Sequence, residues 1–199
     1  MPTPPAHTAP LRTPPLSLPI ALWAAGGVVL ILAQAILRLA PIAWEPVAEG
    51  QLVGWLWLPY LGSLVFNAYA EGYRSFQKVY APRVVARALH LARFPRWHHV
   101  LLAPLFCMGF FHATRRRLIV SWVSAAVIVG VVVAVRAFPQ PWRGIVDVGV
   151  VVGLSWGAAS IVVSLITALR GRPPAVSPDL PETHAPVSPV APPVPAKAA

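Results

Sequence analysis

Three histidines bracket one apolar stretch. His98 and His99 open HHVLLAPLFCMGFFH and His112 closes it, with His90 a short way upstream. Neutral imidazoles carried on two segments are the donor set of a b-type haem, and they also suit a transition metal. If the stretch folds back, His112 comes beside His98 or His99 and a haem or metal site results. Against this, adjacent histidines on a helix diverge by about 100°. The chain also lacks a helical HxxxH pair, an HExxH motif and a carboxylate close to the cluster. Interfacial imidazoles bonded to water or lipid headgroups are the simpler expectation.

The acids are few, and an ionisable group inside a membrane is a functional candidate by default. Asp147 opens the last apolar run four residues after Arg143, a spacing that allows an ion pair on one helix face. Glu71 closes the second run three residues before Arg74, and interfacial pairing is the expectation for both acids. Asp147, Asn67 and Pro59 are the residues that would line a path in a transporter or channel component. GLSWG at 153–157 has the G-x-S-x-G pattern but lies inside an apolar helix, not on a strand-to-helix turn, so it is no nucleophile elbow. Cys107 is the only cysteine, which excludes an intrachain disulfide and a cysteine-built zinc or iron–sulfur site. No nucleophile–base pair or phosphate loop is present, so the sequence points away from an enzyme.

The elements that must position these residues are membrane helices. Of 199 residues 57% are hydrophobic and only 11% charged, with a mean hydropathy of +0.66. A soluble domain is nearer a quarter charged, so the composition is that of an integral membrane protein. Four runs lack charge: 20–37, 50–70, 118–135 and 148–169. A helix needs about 20 residues to cross about 30 Å of hydrocarbon, and a lipid-embedded backbone must bond to itself. The expectation is an all-α protein with four transmembrane helices, at about 20–40, 50–70, 118–136 and 145–169. The first run is too long for the core of a cleaved signal and reads as a retained anchor. Tails 1–19 and 172–199, rich in proline, should be disordered.

Charge decides what the histidine stretch does. Its continuous apolar part, VLLAPLFCMGFF, has 12 residues, which make about 18 Å of helix, too short to cross. If it returns to the side it entered, and with Lys197 far down the tail left out, 12 Lys and Arg lie on one side of the membrane and 3 on the other. If it crosses, the division is 9 against 6. The positive-inside rule favours return, with both termini cytoplasmic and a re-entrant or interfacial segment at 82–114. Trp44, Trp55, Trp57 and Trp142 then fall at the outer interface and Trp23, Trp97 and Trp122 at the inner one, with Trp156 stranded mid-span.

Two features favour contact over chemistry. Gly149, Gly153 and Gly157 form a GxxxGxxxG ridge that lets another helix approach closely, either the Ala24–Gly27 stretch or another subunit. The segment 82–97 reads as a cytoplasmic amphipathic helix, with Arg83, Arg87 and His90 on one face and Val84, Val85, Ala88, Leu89, Leu91 and Ala92 on the other. With Arg93, Arg96, Arg115, Arg116 and Arg117 it presents a basic surface to anionic lipid or a partner. The net charge of +10 sits beside apolar spans, where orientation and headgroup attraction explain it, so no nucleic-acid partner is expected. The sequence reading is therefore a small, non-enzymatic accessory, assembly or scaffolding protein of a bacterial inner membrane, working beside a membrane-protein partner or as a homo-oligomer. A transporter or channel component is the alternative, and a haem- or metal-binding redox subunit the further one.

Overall fold

A computed structural model describes residues 15–181, and among them every regular element is helical. In order these are α1 (Leu18–Ala48), a 3₁₀ turn (Gly54–Leu56), α2 (Trp57–Asn67), a π-helix (Ala68–Tyr80), α3 (Ala81–Arg93), α4 (Trp97–Leu101), α5 (Ala103–Met108), α6 (Arg115–Arg136) and α7 (Trp142–Leu169). Three of them, α1, α6 and α7, are long and apolar enough to cross a membrane.

The second apolar run behaves differently from expectation. It starts as α2 but neither stops at residue 70 nor restarts at 82. The residues at both junctions keep right-handed helical angles, so α2, the π-helix and α3 form one unbroken rod. The reason lies in α7. Gly149 lies against Ser63 and Asn67, Gly153 against Glu71, and Gly157 against Phe76. Each step along α7 is four residues, while the facing steps are four and then five. A π-helix, whose bonds run five residues apart, absorbs the extra residue and keeps the same face on the glycines.

That settles the partner of the glycine ridge. It is the rod of the same chain, not the Ala24–Gly27 stretch, whose Gly27 instead faces Pro104 at the start of α5. The same wide turn accounts for Trp156, the tryptophan that fits no interfacial belt. It covers Gly72 and donates from its indole nitrogen to Gln77 Oε1 at 2.8 Å.

Contacts define two ends of the body. At one end, the Ser17 amide donates to Ala92 O, Trp23 to Val100 O and Trp122 to Phe110 O. At the other, Trp55 meets Trp142 and Tyr60 donates to Ala43 O. Pro46 lies within α1 and has no N–H, so the Ile42 carbonyl loses its usual helical partner. Gln140 Nε2 takes up that carbonyl at 3.3 Å, and the Pro46 ring packs on Gly144 of α7. The proline thus ties the loop after α6 to the end of α1.

α3 is not a surface helix. Its apolar residues Val84, Val85, Ala88, Leu89 and Leu91 are buried in a core shared with α1, α5 and α7, and Ala92 is buried as well. α6 is the opposite case. It makes little contact with the body, and only Ser121 and Val135 along it are buried.

Candidate functional site

The best-organised polar site is centred on Arg87, which the sequence places on the basic surface but the structure buries, leaving it 1% exposed. Its five N–H donors meet five main-chain carbonyls. Nε donates to Phe106 O at 2.6 Å, Nη1 to Pro178 O at 2.7 Å and Asp179 O at 3.4 Å, and Nη2 to Phe111 O at 3.2 Å and His112 O at 3.1 Å. The guanidinium also lies 4.2 Å from the Phe106 ring centre. The arrangement follows from local chemistry. α5 ends at Gly109, whose φ of 83° is the left-handed conformation of a helix terminus, and the Phe106 carbonyl lies in that last turn. A planar fork with five donors suits such a cluster of carbonyls.

Arg87 therefore joins three pieces of chain: α3, the hairpin of α4 and α5, and the segment after α7. The tail expected to be free from residue 172 is held at least to Asp179. Asp179 Oδ2 lies 3.7 Å from Arg83 Nε, and its carbonyl accepts from the Thr114 amide at 2.9 Å. Residues 182–199, and residues 1–14 of the N-terminal tail, lie outside the described residues.

The other predicted basic residues divide. Arg93, Arg96, Arg115 and Arg116 are exposed, while Arg83 and Arg117 are half-buried. Arg117 Nε is buried without a hydrogen-bond partner and faces Gly109. Thr114 caps α6 through its hydroxyl, which accepts from the Arg117 amide.

The hairpin does bring the histidines together. His99 lies with its ring centre 4.4 Å from that of His98 and 4.6 Å from that of His112. Haem ligated by two imidazoles through bonds of about 2 Å would hold the ring centres roughly 6 Å apart on opposite faces. The present spacing leaves no room for a macrocycle between them. No group of three or more His, Cys, Asp or Glu side chains among the described residues is positioned to hold a metal ion. His99 is instead a core aromatic, 6% exposed and stacked on Phe106 at 5.1 Å. Burial, then His112 and His98, push its pKa down to about 4, and His112 is lowered as well, chiefly by burial. Both rings are neutral at pH 7.

A second polar feature runs along the glycine ridge. The buried apolar residues form two clusters, one around α3 and α5 and one around Tyr60, Ile145 and Val148. Asn67 and Glu71 face α7 at Gly149 and Gly153, and Asn67 returns its amide to Ser63 O at 2.8 Å. Asp147, 5% exposed, pairs with Arg143 at 3.7 Å, as the spacing of four predicts. Glu71 does not pair with Arg74. The ion pairs among the described residues are Arg83–Asp179 and Arg143–Asp147.

Sequence reasoning put Glu71 at an interface, paired with Arg74, because it ended the second helix at residue 70; with Gly153 facing it, Glu71 lies well inside the length of α7. Sequence reasoning missed Pro178 and Asp179, because proline density concealed a short docked segment. Compared with known proteins, the chain matches no protein family, no curated protein and no solved structure.

Proposed function

We propose that this is a small, non-enzymatic integral membrane protein that acts as an accessory or scaffolding component beside another membrane protein. The observation that carries the reading is α6. It is a 22-residue apolar helix that spends almost none of its surface on its own chain. Gly130, with Ala126 and Ala134 one turn to either side, has open space where a side chain would stand. Small residues at such spacing let a second helix approach closely. The ridge on α7 is consumed inside the chain, so the small-residue face left open to a partner is on α6.

In this reading the rod is a fourth span and the α4–α5 hairpin enters and returns. Arg87 supports the return, because it holds Phe111 and His112 at the far end of the hairpin against α3 at its near end. The Ser17–Ala92 bond holds the start of α1 at the end of the body where Asp179 docks, which supports the reading that both termini face one side. On the positive-inside rule that side is the cytoplasm, and the Arg- and Ala-rich composition points to a bacterial inner membrane. Exposed Arg93, Arg96, Arg115 and Arg116 there would meet anionic headgroups.

Native mass spectrometry from the protein's own membranes in mild detergent tests the reading. A mass above one chain that contains another protein, and is lost with Gly130→Ile, is expected. A bare monomer would overturn it. A transporter or channel component is the second reading, favoured by Glu71 and Asn67 at the glycine ridge. It requires solute flux in reconstituted vesicles that Glu71→Gln abolishes.

A further inference from the structure

The exposed side of the π-helix is charged at a depth where its neighbours are apolar. Phe76 packs on Gly157, nine residues from Val148 and twelve from Leu169, the ends of the uncharged part of α7. At 1.5 Å per residue the Phe76 level is about 18 Å from the inner end of α7, close to the middle of the bilayer. Around and below this level α7 exposes Trp156, Val162, Val163 and Ile166. Yet Arg74, Gln77 and Lys78, on either side of Phe76, are all exposed.

Lipid is a poor neighbour for these groups. An Arg or Lys at mid-bilayer is strongly disfavoured, and snorkelling relieves this near helix ends. The chain itself offers little relief. Lys78 Nζ sits 4.5 Å over the Tyr73 ring, and Gln77 Oε1 accepts the Trp156 bond, leaving the Gln77 amide donors outward. Two guanidinium or ammonium groups and one amide therefore present only donors to whatever lies beside them.

We infer that this face is the docking surface for a membrane segment of another protein that carries a carboxylate near mid-bilayer. The inference rests on the proposed spanning of the rod and gives the partner of that reading its chemistry. A carboxylate accepts bonds from both cations and from Gln77, and it neutralises charge that lipid cannot. A second copy of this chain fits less well, because its described acids are otherwise engaged. Asp147 and Asp179 are in ion pairs, Glu45 and Glu49 are bonded by Gln140 and Gln51, and Glu71 is turned against Gly153.

The probe is a synthetic membrane-spanning Leu/Ala peptide with one central Asp, alongside the same peptide with Asn or Lys there. Each carries an acceptor fluorophore, and the full-length protein in phosphatidylcholine vesicles carries the donor. The Asp peptide should associate about tenfold more tightly than the Lys peptide, and the double variant Arg74→Gln/Lys78→Gln should erase the difference. Arg74→Lys/Lys78→Arg, with charge kept, should preserve it and so separates lost docking from lost folding. Equal association of all three peptides, or a preference that survives the double Gln variant, overturns the inference. Labelling of Arg74→Cys by a water-soluble maleimide separates the two failures. Rapid labelling means that the rod leaves the membrane before residue 74, which overturns the spanning reading and the docking together. Slow labelling without an Asp preference overturns the docking alone.

Discussion

The Arg87 guanidinium donates to the Pro178 carbonyl at 2.7 Å across 91 residues of sequence. One side chain thereby fixes α3, the hairpin and the segment after α7 at a single point. Arg87→Leu leaves five carbonyls without this donor in a buried setting and should cost about 3–5 kcal/mol, read as a large fall in Tm in detergent. Arg87→Lys keeps the charge but not the fork and should lie between the two. A Tm unmoved by Arg87→Leu would mean that the hub does not hold the fold.

The segment after α7 should contribute on its own account. Truncation after Arg172 removes the Pro178 and Asp179 contacts and should lower Tm by less than Arg87→Leu, because Phe106, Phe111 and His112 still engage the guanidinium. Asp179→Ala, which loses only the partly exposed bond to Arg83, should cost about 1 kcal/mol or less.

The glycine ridge is an intrachain device. A Cβ on Gly153 would stand 2.8 Å from Glu71 Oε2, so Gly153→Leu should destabilise the monomer by about 1–3 kcal/mol. Gly130→Ile has open space and should leave monomer stability unchanged while weakening association. Similar Tm losses in both variants would erase the distinction between the two helices.

Asp147 of α7 and Glu71, which faces that helix, should answer differently to neutralisation. Asp147→Asn strips Arg143 of its ion-pair partner and should lower stability, whereas Glu71→Gln removes a carboxylate that has no cation and should leave Tm unchanged or raised. Thermal unfolding of the two variants side by side checks the contrast.

His99 gives a pH dependence with a definite sign. Its pKa is about 4 when folded, against an ordinary 6.5. Between those values the unfolded chain binds a proton that folded His99 refuses. Stability should therefore be level above pH 6.5 and fall as the pH drops towards 4. His99→Phe, which keeps the stack on Phe106, should flatten much of that slope in Tm measured from pH 7.5 to 4.5.

Legibility followed periodicity and spacing. α6, α7 and the start of α1 could be read from uncharged length, and the Arg143–Asp147 pair from a spacing of four. The fate of α3 could not, because an amphipathic pattern states that one face must be covered and not what covers it. Here α1, α5 and α7 do so, and Arg87 turns inward because carbonyls at the hairpin need donors. The π-helix was equally concealed. Its only trace in the sequence is the mismatch of four and five between the glycines of α7 and Asn67, Glu71 and Phe76.

The most direct test of the account is whether the hairpin returns to the side it entered. Single cysteines in place of the exposed Arg96 and Arg116, with Cys107 left buried, can be challenged with a membrane-impermeant maleimide in sealed vesicles of known orientation. The account predicts that both label from the same face, and that a cysteine at Glu49 labels from the other. Labelling of Arg96→Cys and Arg116→Cys from opposite faces would contradict it.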